Sequence, residues 1–292
     1  MICRNTDIRG FKELAMECQL EHTTVHYEML GEGRPLVVLH GAAGDHRVAA
    51  ATIEPLFSHR AGWKRIYPDL PGHGATPGPA WMQNEDQLLD LLLSFIDCVI
   101  QNERFTLAGF SRGGYYARGI LHRRLAQVAG LLFVAPLIQR EERDVPQRTV
   151  LIRDQAALAQ QDAWTRTVAE GLLVVQDRAT LRRVQALRLL FEDAKEDRAF
   201  QDRLKRTFSF PVDQLPQPFG EPALFLLGRQ DHVVGYRDTW KILENFPRAT
   251  YAVLDQAGHA PDVEQLQLCQ ALMSEWLDRL ETSAINGQLE QI

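Results

Sequence analysis

Cysteine is scarce in this chain and poorly spaced for chemistry. The four present (Cys3, Cys18, Cys98 and Cys269) are scattered and form no CxxC pair, so neither a disulfide framework nor a cysteine metal site is supported. Cys98 and Cys269 fall inside apolar helical patterns, where the expected use is as small buried hydrophobes. Positive charge is also short: the formal net charge is −6, so no global footprint for nucleic acid exists and no nucleic-acid partner is expected. Long apolar runs are missing as well. The N-terminal stretch MICRNTDIRGFKELAMECQ lacks the continuous apolar segment of a signal peptide. Leu88–Ile100 is broken by Asp90, Ser94 and Asp97 and cannot span a bilayer. The expectation is a cytoplasmic protein with no membrane partner. With 45% hydrophobic and 24% charged residues over 292 positions, the composition suits one large globular domain, or one with a sizeable insertion.

What is present is a regular alternation. Residues 1–17 read as a mixed N-terminal arm, within which Met16 is a second candidate start beside Met1. Cys18–Leu30 alternates in polarity and reads as edge strands or a hairpin, closing at Gly31-Glu32-Gly33. Leu36–Leu39, Thr106–Ala108, Leu131–Ala135, Ala223–Leu227 and Tyr251–Leu254 are short continuous apolar runs, and Arg65-Ile66-Tyr67 is a weaker one. Such runs mark strands buried on both faces of a parallel sheet. Between them, Leu88, Leu92, Phe95 and Val99 share one helical face, and Leu266, Cys269, Met273, Trp276 and Leu280 share another. Strands alternating with helices predict an α/β fold with a mostly parallel central sheet flanked by helices.

One segment breaks the pattern by lacking glycine. Leu137–Phe219 holds Gly171 alone, is rich in charge, and shows helical spacing at Leu181, Val184, Leu187 and Phe191. It is too long for a connection within a sheet. It predicts a helical cap inserted after the sixth strand, over 137–219, with the core at 18–136 and 220–280 and a polar, frayed tail at 281–292.

Gly109-Phe110-Ser111-Arg112-Gly113 carries the first chemical signal. A Gly-x-Ser-x-Gly pattern arises by chance about one time in ten in a chain this long, so its context decides. Here a strand precedes it and a helical pattern follows, putting Ser111 on a sharp strand-to-helix turn with its hydroxyl exposed. The bland alternative is a serine N-cap. A hydroxyl needs a base and a group to orient that base. Asp231, in GRQDHVV, follows the run Ala223–Leu227, and His259, in GHA, follows Tyr251–Leu254. Serine, acid and histidine thus sit at the ends of separate strands in one order, which the bland readings of each (turn residue, surface histidine) do not require. His40-Gly41-Ala42-Ala43-Gly44 can bring a backbone N–H near a carbonyl, and the expected oxyanion donors are Ala42 and Arg112. His40 reads as structural. His73, His122 and His232 read as turn or solvent-facing residues. His46 and Trp164 are candidate substrate contacts, while Phe208 and Phe210 belong to the pocket or to the cap's own core.

The set HGAAG, PDLPGHG, GFSRGG, GRQDHVV and GHAPDVE resembles the α/β-hydrolase superfamily, in its capped branch of esterases, C–C bond hydrolases and haloperoxidases. The resemblance covers Val25 to Leu280 except the cap. It implies the α/β-hydrolase fold and a serine esterase acting on a small carboxylic ester or related carbonyl compound, with catalytic Ser111, Asp231 and His259. No cofactor or metal is implied, and the protein is expected to be a monomer or homodimer. It also implies a structural turn for PDLPGHGAT. Two residues depart from the usual pattern: Ala260 stands where many relatives carry an aromatic, and charged Arg112 follows the nucleophile, which invites a polar or anionic substrate group. Two alternatives stay open: a C–C hydrolase or lyase using the same triad, and a non-catalytic receptor or scaffold.

Overall fold

A computed structural model describes residues 14–42, 44–191, 196–204 and 207–289. In chain order, β1 (Leu14–Gln19), β2 (Thr24–Leu30) and β3 (Arg34–Leu39) precede α1 (His46–Ile53), β4 (Trp63–Pro68), α2 (Glu85–Val99), β5 (Phe105–Phe110), α3 (Arg112–Arg123) and β6 (Val128–Val134). The insertion then supplies β7 (Ile152–Arg153), α4 (Gln155–Ala159), α5 (Ala163–Leu172), β8 (Val175–Gln176), α6 (Arg178–Phe191) and α7 (Arg198–Arg203). The chain returns through β9 (Ala223–Gly228), α8 (Arg237–Trp240), β10 (Ala249–Leu254), α9 (Pro261–Glu264) and α10 (Leu266–Leu289).

The central sheet has the order β1-β2-β4-β3-β5-β6-β9-β10. β1 and β2 run antiparallel and every pairing from β3 to β10 is parallel. Because side chains alternate across a strand, one apolar run serves two cores. Val37 and Leu39 pack with α2 and α3, whereas Leu36 and Val38 pack with Ala49 and Ile53 of α1 and Met273 and Trp276 of α10. Burial of each such leucine or valine contributes about 1.5–3 kcal/mol. Helix starts are written locally: Asn84, Asp45, Asp154, Asp162 and Asp197 each cap a helix by accepting a first-turn N–H.

Four expectations change. The arm ends earlier than residue 17, since Leu14–Glu17 already pair with β2. Met16 and Cys18 point inward and are buried, extending the alternation toward the N-terminus, while residues 1–13 lie outside the described residues. The polar tail is helical to Leu289, because Glu281 accepts from Trp63 Nε1 at 2.8 Å and pairs with Arg60, anchoring α10 past the apolar face; residues 290–292 lie outside the described residues. Cys98 is exposed, since it falls off the face shared by Leu88, Leu92 and Phe95. The insertion is not purely helical: β7 and β8 form a short parallel pair. Its small core (Leu158, Ala169, Leu181, Val184) is its own, but Leu137, Ile138, Phe200 and Phe219 are buried with the main core. The side chain of Phe191 lies outside the described residues.

Candidate active site

The parallel strands all end on the side facing the insertion, and four of those ends meet. β5 runs into Ser111, whose φ of 48° and ψ of −111° lie where only glycine is at ease. A non-glycine residue held there stores about 1–3 kcal/mol of strain. The conformation is clamped from both sides: Ser111 N–H donates to Val134 O at 2.9 Å, and Leu137 N–H donates to Ser111 O at 2.9 Å. The tightness explains the flanking glycines. A Cβ at Gly113 would stand 2.2 Å from Leu39 O, and one at Gly109 would stand 2.7 Å from Gly113 O. The turn thrusts the serine side chain out and starts α3 directly behind it.

His259 occupies the loop after β10. Its Nε2 is 3.0 Å from Ser111 Oγ, and its Nδ1 is 2.9 Å from Asp231 Oδ2. Asp231, in the loop after β9, is fully buried, and its Oδ1 accepts from Val233 N at 2.8 Å and Val234 N at 3.0 Å. Burial alone would raise its carboxyl, but the charge and hydrogen bond of His259, with both amides, hold it below the ordinary range. The three side chains named from the sequence are therefore within hydrogen-bond reach in the order Ser–His–Asp.

The His259 loop is tied to the insertion by a residue the sequence did not single out. Glu264 Oε1 accepts from Val174 N at 2.6 Å and Val175 N at 3.0 Å, and Oε2 accepts from Gly258 N at 2.5 Å. Its carboxyl is pushed up to about 7 by burial, against the pull of these amides. His259 N–H also reaches Leu172 O at 3.4 Å.

The loop after β3 forms the opposite wall. His40 is buried, and burial with the neighbouring His73 lowers its pKa to about 3, so it is neutral. Its Nε2 accepts from Leu70 N at 2.9 Å, which leaves Nδ1–H to donate to Gly41 O at 2.7 Å. His40 thus splints the loop, matching its structural reading. A Cβ on Gly41 would lie 3.4 Å from Ser111 Cβ, so the backbone here runs close to that serine. Ala42 lines the cavity beside it; Ala43 lies outside the described residues.

A cavity of about 290 Å³ opens between the sheet and the insertion, with Ser111 and His259 in its wall. Trp164 lines it, as do Val168, Leu172, Val184 and Leu187 of α5 and α6. The spacing of these residues (i, i+4 and i, i+3) was the signal available for finding them. Ala260 is on the wall too, beside the histidine.

Other candidates lie elsewhere. His46 does not line this cavity: its Nδ1 is 2.7 Å from buried Asp69, which also accepts the His46 N–H at 3.0 Å and so pins the start of α1. The Arg112 side chain is turned away as well. It donates to Tyr116 Oη at 3.1 Å and to Gln201, and lies 3.7 Å from buried Glu85, so its charge is committed to structure. Phe208 stacks on Tyr115 with centroids 4.5 Å apart and packs against Phe210, away from Ser111. His73 is buried against His40 rather than facing solvent, and half-buried His122 bonds Val212 O at 3.2 Å. Among the described residues, no helix is long and apolar enough to cross a membrane.

A family model described as the alpha/beta hydrolase family matches residues 36–269. A pimeloyl-(acyl-carrier protein) methyl ester esterase of Legionella pneumophila (strain Corby) is 25% identical over 256 residues, spanning 87% of this chain and 99% of the relative. One of the same name from Shewanella woodyi is 26% identical over 267 residues, with 88% and 99% covered. The crystal structure of an alpha/beta superfamily hydrolase from Oenococcus oeni PSU-1 superposes with a TM-score of 0.80 at 25% identity, covering 91% of this chain and 99% of that one.

Proposed function

This chain belongs to the alpha/beta hydrolase family, and from that premise we propose that it is a carboxylic ester hydrolase working through Ser111, His259 and Asp231. One observation carries the reading. A serine held at φ 48° presents its Oγ 3.0 Å from a histidine that an ionised buried aspartate orients, in the wall of a mostly apolar cavity.

The chemistry follows from those positions. Asp231 accepts Nδ1–H of His259, which leaves Nε2 bare toward Ser111 Oγ. As Oγ attacks the ester carbonyl, its proton passes to Nε2 and the carbonyl π electrons move onto oxygen. The oxyanion is met by the N–H groups of Ala42 and Arg112 and by the positive end of α3. Collapse breaks the C–O bond, and the leaving alkoxide takes the proton from Nε2 and departs as the alcohol. Water then gives a proton to Nε2 while its oxygen attacks the acyl-serine, and the acid leaves as Ser111 recovers its proton. Asp231 stays ionised throughout and stabilises the transient imidazolium.

The cavity supports a small substrate. Its volume of about 290 Å³ sits at the lower end of the roughly 300–1,000 Å³ that small-molecule sites span. The similarity to enzymes named as methyl ester esterases agrees with an ester of a small alcohol. Replacing Ser111 by Ala tests the reading: hydrolysis of 4-nitrophenyl butyrate should fall by about 10⁵-fold or more. Activity within tenfold of the parent would overturn it.

A further inference from the structure

The substrate cavity is apolar over most of its wall, yet one stretch of that wall is polar. Thr52, on α1, and Asp262, on α9, both line it, and Thr52 Oγ1 donates to Asp262 Oδ2 at 2.8 Å. The pair joins two elements 210 residues apart in sequence across the cavity wall. Asp262 is close enough to His259 to feel its charge, so this stretch lies near the reaction centre.

A carboxylate facing an apolar cavity is costly unless its lone pairs are used. Thr52 and the amides of Asp262 and Val263 bond to it, and burial still pushes the carboxyl above its ordinary range. A carboxylate offers about four acceptor sites and the threonine oxygen two more, so these three donors leave the pair with accepting capacity, and both residues line the cavity. From the insertion, Val168, Leu172, Val184 and Leu187 line the same cavity with side chains that carry no hydrogen-bond donor.

We propose that Thr52 and Asp262 form a specificity subsite for a hydrogen-bond donor on the substrate, so that the preferred esters carry a hydroxyl or an ammonium group on the chain that enters the cavity. The inference rests on the esterase reading above and names the substrate class within it. The same stretch rejects esters that carry a second carboxylate there, because two carboxylates would share one desolvated site. Asp262 acts here on binding and discrimination, not on the bonds that form and break.

The test compares kcat/KM for methyl butyrate, methyl 3-hydroxybutyrate, methyl 3-aminobutyrate and monomethyl succinate. The parent protein should favour the hydroxy or the amino ester over methyl butyrate by about 10- to 100-fold, the effect of one hydrogen bond to a charged acceptor. The hydroxy and amino arms tell whether a neutral or a cationic donor is preferred. Asp262→Ala should bring that ratio close to one, and Thr52→Val should lower it while raising monomethyl succinate little. Asp262→Asn, which removes the charge but keeps the shape, should improve monomethyl succinate relative to methyl butyrate. Counting competent sites with a 4-nitrophenyl phosphonate that labels Ser111 separates misfolded variants from altered ones.

A parent protein without preference for either donor overturns the proposal. So does an unchanged ratio in correctly titrating Asp262→Ala and Asp262→Asn, or a loss that is equal for all four esters, which would mark Asp262 as a support for His259. Failure of the esterase reading looks different: no ester is turned over and the phosphonate leaves Ser111 unlabelled, and both readings then fall.

Discussion

Replacing Asp231 by Asn poses a choice that the surrounding bonds decide. The native carboxylate faces two kinds of donor: His259 Nδ1–H at 2.9 Å on one oxygen, and the N–H groups of Val233 and Val234 at 2.8 and 3.0 Å on the other. An asparagine has one oxygen to offer. If that oxygen stays on the two amides, the NH₂ group points at Nδ1 and can only donate to it. The ring proton is then driven to Nε2, where it faces Ser111 and blocks the base. If the amide flips to serve the histidine, two buried N–H donors face an NH₂ group instead. Each buried donor left unsatisfied costs about 1–3 kcal/mol, so the flip costs about 2–6 kcal/mol. At 1.4 kcal/mol per factor of ten, the competent arrangement is populated about 30- to 10⁴-fold less, and kcat should fall by that much. The variant also loses the stabilisation of the imidazolium, which pushes the result toward the larger figure. Burst kinetics with 4-nitrophenyl acetate, with active sites counted by phosphonate labelling, would read it. A kcat within tenfold of the parent, with full labelling, would refute the argument. A second readout concerns acid stability. Asp231 is held below its ordinary value of 3.8, so its contribution is complete above that pH and is lost as pH falls through the lower folded value. Urea unfolding from pH 7 down to about pH 2 should show an acid limb below pH 3.8 for the parent that Asp231→Asn shares less steeply.

Two further changes probe the scaffold around the chemistry. Glu264→Ala strips the acceptor from Val174 N, Val175 N and Gly258 N and should cost about 3 kcal/mol or more of unfolding free energy, since three amides lose a partner. The loss of kcat should exceed any rise in KM, because the loop that carries His259 is released; a urea midpoint unchanged from the parent would contradict this. Gly113→Ala would set a Cβ 2.2 Å from Leu39 O and 2.6 Å from His40 O, both backbone atoms that cannot step aside. It should abolish labelling of Ser111 or leave the protein insoluble, and an active, soluble Gly113→Ala would show that the turn is less tight than its atoms require.

How much of this was legible in the sequence depends on whether the signal was local. The strands buried on both faces announce themselves as apolar runs, because each residue must suit one of two cores whatever its neighbours do; Leu36–Leu39 is the clear instance. Ser111, Asp231 and His259 were legible for a related reason. Each follows a readable strand, and a parallel sheet brings the ends of its strands to one side. What failed was whatever depends on a partner distant in sequence. His46 looked like a substrate contact because it follows the oxyanion loop, and nothing near it reveals that Asp69 would claim its ring. Arg112 looked free for the same reason, although Glu85 and Gln201 engage it across 27 and 89 residues. The helical end of the chain was misjudged because polarity was read as fraying, when Trp63 and Arg60 wait for Glu281. The same logic explains why Thr52 and Asp262 went unread. Neither is informative alone, and only the 210-residue pairing places a hydroxyl and a carboxylate together on the wall of the cavity. Ser111, Asp231 and His259 are tied to strand ends and could be read from the sequence. Thr52 and Asp262 lie on α1 and α9, where spacing in the chain says little about proximity. The fold and the strand-end residues were therefore readable before the cavity wall, whose lining had to come from the structure.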